Sequence, residues 1–263
     1  MPYRIDLPAP RADAFDRLVA LGALDVEMVG DVLAAILPDA VDAERLAREL
    51  HVARVGVSPA VGRDDDSVWT LAPRTIRAGR VTIAPAGDRS TPGTIRMIDG
   101  PAFGTGGHPT TALCLDVLDS IPDGQLPPGV LDVGIGSGVL ALAALSRGVA
   151  RAVGVDIDAG ALHVSMMNAR LNGLADRLLV VRGGPDGVTG SWPLVFANVL
   201  AAPLMDMAAV LVQRVSHEGR LVLSGIQTSL AADVSGAYRR LGMRLVATPS
   251  RGAWTAVVLA PTW

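Results

Sequence analysis

The sequence has 263 residues, half of them apolar, which is enough for one large or two small domains with a packed core. The formal net charge of −3 at pH 7 excludes a broadly basic nucleic-acid-binding protein, because such a protein needs an excess of cations to neutralise phosphates. The single cysteine, Cys114, excludes an intramolecular disulfide and a zinc site made of cysteines, and we expect no metal.

Short strands and helices alternate over the first 62 residues. Tyr3–Leu7 alternates apolar and polar residues and predicts a strand, and Arg11–Leu24 carries apolar residues at helical spacing. The other predicted elements are strands at Asp25–Val29, Asp31–Leu37 and Ala53–Val57 and a helix at Val41–His51. The order strand, helix, strand, strand, helix, strand predicts a small ferredoxin-like α+β domain over residues 1–62.

A polar, acidic segment follows this domain. Gly62–Asp66 (G-R-D-D-D) is the best linker candidate, and we assign residues 63–92 to a linker and connecting segment. Ser67–Arg80 is predicted to be either a short helix or irregular. Predicted strands lie at Val81–Ala84 and Thr94–Ile98. The second domain is predicted over residues 93–263.

In this second domain short apolar runs alternate with helical segments, a pattern typical of a parallel sheet covered by helices on both faces. The predicted strands are Val130–Val133, Ala152–Asp156, Leu178–Val181, Leu194–Ala197 and Arg220–Ser224. The predicted helices are Leu140–Arg147, Ala161–Leu171, Leu204–Val215 and Leu230–Leu241. At the end of the chain, Met243–Thr248 and Trp254–Leu259 predict an antiparallel hairpin.

A glycine-rich turn follows the first strand of this sheet. Asp132–Gly138 (D-V-G-I-G-S-G) has the spacing G-x-G-x-G, and position 139 is valine where a dinucleotide-binding fingerprint needs a third glycine. Gly134 and Gly136 let the backbone approach a ligand at a helix N-terminus. The spacing favours S-adenosylmethionine over a nicotinamide cofactor, with a simple tight strand–helix connection as the alternative.

Two polar residues end later strands of the sheet. Asp156 lies at the tip of the second strand, where a carboxylate can accept both ribose hydroxyls, although it could instead cap a helix as Asp158 can. Asn198 ends the fourth strand, and its amide could orient both the cofactor and an attacking amine. The alternative for Asn198 is an ordinary turn asparagine.

Residues 102–111, called the signature loop below, precede the first helix of the domain. Their sequence, A-F-G-T-G-G-H-P-T-T, is rich in glycine and hydroxyl residues and suits a loop that closes over a ligand. His108 is a candidate catalytic residue in this loop, with a structural hydrogen-bonding role as the alternative.

These segments resemble the bacterial ribosomal protein L11 methyltransferase family over about residues 67–263. The matching segments are Phe103–Thr111, Asp132–Gly138, Gly154–Asp158, Asn168–Gly173, Ala197–Leu200 and Leu221–Ile226. The resemblance implies a Rossmann-like class I methyltransferase domain, whose mostly parallel seven-stranded sheet ends in an antiparallel hairpin. It also implies that the small N-terminal domain recognises the substrate.

The resemblance further implies which residues contact S-adenosylmethionine. Transferred by motif, the family's cofactor contacts fall on Thr111, Gly134, Asp156 and Asn198, with Gly136 in the same turn and Phe103, Gly104 and Thr105 nearby. In this chain Gly107 replaces a threonine of the family's signature loop, and Gly183–Gly184 replaces a glycine–aspartate pair near the adenine.

The predicted function is methyl transfer from S-adenosylmethionine to lysine and N-terminal amino groups of a ribosomal protein, with Asn198 orienting the amine. The alternatives are an N-methyltransferase acting on another protein or a small amine, a nicotinamide-dependent dehydrogenase, and a non-catalytic cofactor-binding module. Since the start of the chain lacks a secretory signal pattern and the long apolar stretch near Pro203 is interrupted by polar residues, we expect a cytoplasmic protein without a membrane span. We also expect a monomer that does not bind nucleic acid directly.

Overall fold

The structure is a computed structural model that describes residues 2–8, 13–29, 32–38, 42–60, 75–89, 91–98, 102–104 and 106–263. The chain divides into two compact units. The first unit comprises residues 1–72 and 107–109, and the second comprises residues 73–106 and 110–263. Part of the predicted connecting segment 63–92 therefore belongs to the second unit. The linker candidate Gly62–Asp66 lies outside the described residues.

The described residues of the first unit form a four-stranded antiparallel sheet with two helices. Its elements are β1 (Tyr3–Pro8), α1 (Ala14–Ala20), β2 (Asp25–Val29), β3 (Val32–Leu37), α2 (Ala43–Glu49) and β4 (Gly56–Pro59). The strand order is β2-β3-β1-β4, the order of a ferredoxin-like sheet. Alternation along β1 buries Ile5 and Leu7, and Leu18 of α1 and Leu46 of α2 are buried as well.

Both helices of this unit are shorter than their predicted spans. Helix α2 begins after Asp42, whose carboxylate accepts hydrogen bonds from the N–H groups of Glu44 (2.9 Å) and Arg45 (3.2 Å), so the cap sets its start. The last strand lies at Gly56–Pro59 instead of Ala53–Val57, because its pairing with β1 brings Pro59 opposite Tyr3.

The second unit begins with a small three-stranded sheet. Its strands are β5 (Ile76–Ala78), β6 (Val81–Pro85) and β7 (Thr94–Met97), with β6 antiparallel to β5 and parallel to β7. For the predicted helix or irregular segment Ser67–Arg80, residues up to 74 lie outside the described residues and Ile76–Ala78 forms a strand. Val81, Ile83, Ile95 and Met97 are buried in the same apolar cluster as the first helix of the main sheet.

The main sheet is the largest part of the second unit. The remaining elements, in chain order, are α3 (Pro109–Asp119), β8 (Gly129–Val133), α4 (Val139–Ser146), β9 (Arg151–Asp156), α5 (Ala159–Leu171), β10 (Leu178–Arg182), β11 (Trp192–Asn198), α6 (Ala201–Asp206), α7 (Ala208–Gln213), β12 (Val215–Gln227), α8 (Ala231–Arg239), β13 (Met243–Ala247), β14 (Ser250–Arg251) and β15 (Trp254–Pro261). The order is β10-β9-β8-β11-β12-β15-β13, with the short β14 paired to β15.

The strand directions agree with the predicted fold class. The neighbours from β10 to β12 are parallel, and β15 is antiparallel to both β12 and β13. The prediction of a mostly parallel seven-stranded sheet ending in an antiparallel pair is therefore confirmed. The last strand of the chain, β15, lies between β12 and β13 and is hydrogen-bonded to both.

Helix α4 shows how a helix of this unit packs against the strands. Every residue of α4 from Val139 to Leu145 is buried, because α4 packs against β8 and β9 and also against β7.

The predicted helix Leu204–Val215 is instead two short helices, α6 and α7. They are separated at Met207, whose backbone leaves helical geometry. Among the described residues, every helix is too short or too polar to cross a lipid bilayer.

Candidate active site

The carboxyl ends of β8, β9 and β11 lie side by side in the sheet. Val133, the last residue of β8, is in register with residues of both β9 and β11. Because neighbouring strands are about 4.8 Å apart, the residues near these strand ends, Gly134, Asp156 and Asn198, are brought to one edge of the sheet. In open α/β sheets this edge is where ligands bind.

The glycine turn adopts a backbone that other residues rarely reach. Gly134, Gly136 and Gly138 have φ angles of 73°, 54° and 86°, all in the left-handed region. A Cβ atom on Gly134 would lie 2.5 Å from Cγ1 of Val199, and one on Gly136 would lie 2.6 Å from the Phe103 carbonyl oxygen. Both glycines are therefore needed for conformation and for space.

Asp156 is bound to the glycine turn through its carboxylate. Its Oδ2 accepts a hydrogen bond from the N–H of Gly136, and its Oδ1 accepts one from the N–H of Asp158, both at 3.0 Å. A carboxylate has about four acceptor positions, so further donors can bind here. Asp158 caps α5 by accepting from the N–H of Gly160 at 2.8 Å, so the capping role belongs to Asp158.

Asn198 lies beside the start of α3. Its Nδ2 donates a long hydrogen bond of 3.4 Å to Oγ1 of Thr111, which is fully buried. Its Oδ1 is buried and has no hydrogen-bond partner among the described residues. The neighbouring Ser224 donates to the carbonyl oxygen of Thr110 at 2.9 Å, which holds α3 against the end of β12. The amide oxygen of Asn198 is therefore a buried acceptor at this edge, unsatisfied by the residues that the structure describes.

The first part of the signature loop is bound to the glycine turn by Ser137. The N–H of Ser137 donates to the Phe103 carbonyl oxygen at 2.9 Å, and its hydroxyl donates to the Gly104 carbonyl oxygen at 2.7 Å. Phe103 itself is half exposed. Thr105 lies outside the residues that the structure describes. The structure thus brings Phe103 and Gly104 against the glycine turn, and their contact with a cofactor stays a prediction.

His108 belongs to the first unit together with Gly107 and Pro109. Its ring packs edge-on against Phe15, with ring centroids 5.3 Å apart and an interplanar angle of 71°. Burial lowers the pKa of His108 to about 4, so the imidazole is neutral near pH 7. A Cβ atom on Gly107 would collide with the side chain of Glu27 as it is placed here. This packing favours the structural alternative for His108, and its catalytic role stays a prediction.

Asp132 is a buried carboxyl group that the sequence reasoning did not single out. Its Oδ2 accepts a hydrogen bond from the N–H of Ala141 in the first turn of α4, at 3.1 Å. Burial, with a smaller contribution from the nearby charge of Asp156, raises the pKa of Asp132 to about 8. Asp132 is the next-to-last residue of β8, just before the glycine turn, and this position in the sequence could have indicated it.

Comparison with known proteins assigns the family. Residues 63–261 match the family model described as ribosomal protein L11 methyltransferase. A curated protein of that name from Pelobacter propionicus is 37% identical over 226 residues, which cover 82% of this chain and 73% of the relative. Another from Geobacter sp. (strain M21) is 37% identical over 242 residues, 84% of this chain and 78% of the relative.

A solved structure agrees with these relatives. The crystal structure of ribosomal protein L11 methylase from Lactobacillus delbrueckii subsp. bulgaricus superposes with a TM-score of 0.66 at 25% sequence identity. The match covers 72% of this chain and 100% of that one. The family resemblance inferred from the sequence motifs is confirmed: the chain belongs to the ribosomal protein L11 methyltransferase family.

Proposed function

We propose that the protein transfers methyl groups from S-adenosylmethionine to amino groups of ribosomal protein L11, on lysine side chains and on the N-terminus. The names of the relatives support this substrate. The observation that carries the reaction type is the buried amide oxygen of Asn198, an acceptor beside the glycine turn that the described residues leave unsatisfied and that can take an N–H group.

S-adenosylmethionine is the cofactor, and the groups at the sheet edge fit it. Asp156 has acceptor positions left for ribose hydroxyls, Gly134 and Gly136 expose bare backbone, and Asn198 offers its Oδ1. When bound, this cofactor supplies a methyl group that its sulfonium already activates. The protein therefore needs to orient the acceptor and exclude water more than to activate either reactant.

The amine has to be neutral, because only a nitrogen with a free lone pair can attack the methyl carbon. A lysine amine has an ordinary pKa of about 10.4, so it is mostly protonated at neutral pH. Transfer out of water disfavours the ammonium form and lowers this pKa. Asn198 Oδ1 then accepts one N–H of the neutral amine and directs the lone pair, while the proton released after transfer leaves to solvent.

Substitution of Asn198 tests this role. In Asn198→Ala, we expect kcat to fall about a hundredfold, because misplacement of a reactant by about 1 Å costs that much. The matched variant Asn198→Asp keeps an acceptor oxygen but adds a negative charge, which stabilises the ammonium form and raises the amine pKa. Its activity should therefore shift to higher pH. Steady-state kinetics over a pH series measures both effects, and a change confined to cofactor affinity would contradict the role in orienting the amine.

Calorimetry tests the cofactor against the dehydrogenase alternative. We expect S-adenosylmethionine and its demethylated product to bind, and NAD and NADP not to bind. The reason is that Val139, the first residue of α4, is buried where a dinucleotide fingerprint has its third glycine. Tight binding of NAD by the full chain would contradict the methyltransferase proposal.

We further propose that the domain over residues 1–62 recognises the protein substrate. The three residues at the carboxyl ends of the parallel strands, Gly134 just after β8, Asp156 at the end of β9 and Asn198 at the end of β11, all belong to the second unit. This arrangement supports a division between recognition in the first unit and chemistry in the second.

A further inference from the structure

The segment Asn168–Gly173 (N-A-R-L-N-G) has no part in the site described so far, yet its first asparagine binds backbone groups far along the chain. Asn168 is fully buried in α5. Its Oδ1 accepts a hydrogen bond from the N–H of Ile98 at 2.8 Å, and its Nδ2 donates to the carbonyl oxygen of Ser137 at 2.9 Å. One side chain therefore links the glycine turn to the residue that follows β7.

Ser137 is the point where these links meet. It is 4% exposed, and besides the bond from Asn168 it donates through its N–H to Phe103 and through its hydroxyl to Gly104. Three elements thus converge on one residue: α5, the glycine turn and the signature loop. A shift of the Ser137 carbonyl group would disturb the other two bonds as well.

The backbone on either side of Ser137 has little stiffness of its own. Gly136 and Gly138 flank it with φ angles of 54° and 86°, and glycine permits many other conformations at similar energy. Helix α5 also approaches closely, since a Cβ atom on Gly138 would lie 3.1 Å from Cβ of Ser165. The amide of Asn168 therefore restrains the orientation of the peptide group between Ser137 and Gly138.

We propose that Asn168 is a positioning residue for cofactor binding: it holds the Ser137 peptide, and through Ser137 it holds Phe103 and Gly104 against the glycine turn. This inference rests on the proposed function, because it takes S-adenosylmethionine as the ligand of the turn. Asn168 does not contact the reacting atoms. Its effect is to keep the turn in its binding conformation before the ligand arrives, which lowers the cost of binding.

Asn172, on the next turn, provides a matched control. Its Oδ1 accepts from the N–H of Arg96 at 2.8 Å, and its Nδ2 donates to the carbonyl oxygens of Arg96 and Asn168, both at 2.7 Å. It therefore joins α5 to β7 as Asn168 does, but none of its hydrogen bonds reaches the glycine turn. Loss of either asparagine should destabilise the fold, and only loss of Asn168 should disturb the turn.

The experiment compares Asn168→Asp with Asn172→Asp in the full chain. Each change keeps the size and one acceptor oxygen and replaces the donating Nδ2 with an oxygen that repels the carbonyl groups it faced. Thermal unfolding should show a lower Tm for both variants. Calorimetry with S-adenosylmethionine, well below Tm, should show a Kd about tenfold higher for Asn168→Asp and within about threefold of the parent for Asn172→Asp.

Equal Kd values for the two variants and the parent would overturn the inference, since a purely structural asparagine changes Tm without changing Kd. Absence of binding by the parent protein would instead overturn the proposed function, so the two failures are distinguishable. If Asn168→Asp does not fold, Asn168→Ser and Asn172→Ser remove the same donors without a buried charge. The same comparison of Kd then decides.

Discussion

Replacement of Asp156 by alanine should weaken binding of S-adenosylmethionine by about tenfold or more, because each hydrogen bond to a charged acceptor contributes about 1.5–3 kcal/mol. The structure adds a second cause. Asp156 also accepts the N–H of Gly136, so its loss frees one side of the glycine turn. The expected result is a higher Kd by calorimetry with the chain still folded by circular dichroism.

Asp158→Ala is the control for this change. Asp158 lies two residues away and caps α5, so its loss should cost helix stability, about 1 kcal/mol, without a change in cofactor affinity. Asp156→Asn should give an intermediate Kd, since it keeps one acceptor oxygen but loses the charge. If Asp156→Ala and the parent protein bind S-adenosylmethionine equally, Asp156 has no part in holding the ribose.

Removal of the first 72 residues should abolish most methylation of ribosomal protein L11 while cofactor binding persists. The truncated protein would begin at Pro73, where the second unit starts, and would retain the three-stranded sheet that packs in its core. A mobile lysine on a large substrate then has nothing to hold it in place. Because orientation of reactants contributes up to about 7–11 kcal/mol, kcat/KM should fall by about a hundredfold or more.

Two substrates separate recognition from chemistry in this experiment. A short lysine peptide needs no docking domain, so its kcat/KM should stay within about threefold after truncation. An unchanged Kd for S-adenosylmethionine shows that the remaining unit is folded. If the truncated protein methylates the whole ribosomal protein as well as the full chain does, residues 1–62 have no recognition role, and a small amine becomes the better substrate assignment.

Most of the second unit was predictable from local patterns in the sequence. Strands such as β8 and β11 are short, mostly apolar runs. The G-x-G-x-G spacing places the turn directly after β8, and both signals depend on neighbouring residues only. The relation of Asp156 and Asn198 to this turn followed from a general rule about the ends of parallel strands. Chain periodicity did not predict the break at Met207, where the apolar pattern continues but the helix does not.

His108 shows the limit of residue type as evidence. A histidine in a loop rich in glycine and hydroxyl residues is typical of a catalytic site, but the protonation state of its imidazole depends on the groups packed around it. Contact with Phe15, which is distant in the sequence, buries the ring and keeps it neutral. Composition alone carries no information about that contact.

The order of elements, the family motifs and the type of sheet follow from the sequence, because each is encoded in short segments whose spacing and polarity are local. Contacts between residues distant in the sequence determine the order of the last strands and the hydrogen bonds around the site. The place of β15 between β12 and β13 depends on its pairing with both strands. The hydrogen bond from Asn168 to Ser137 joins residues 31 positions apart. The amide oxygen of Asn198 is an unsatisfied acceptor within the described part of the chain because folding buries this amide beside Thr111. Hydrogen bonds between distant segments are a property of the packed chain, so no local pattern contains them.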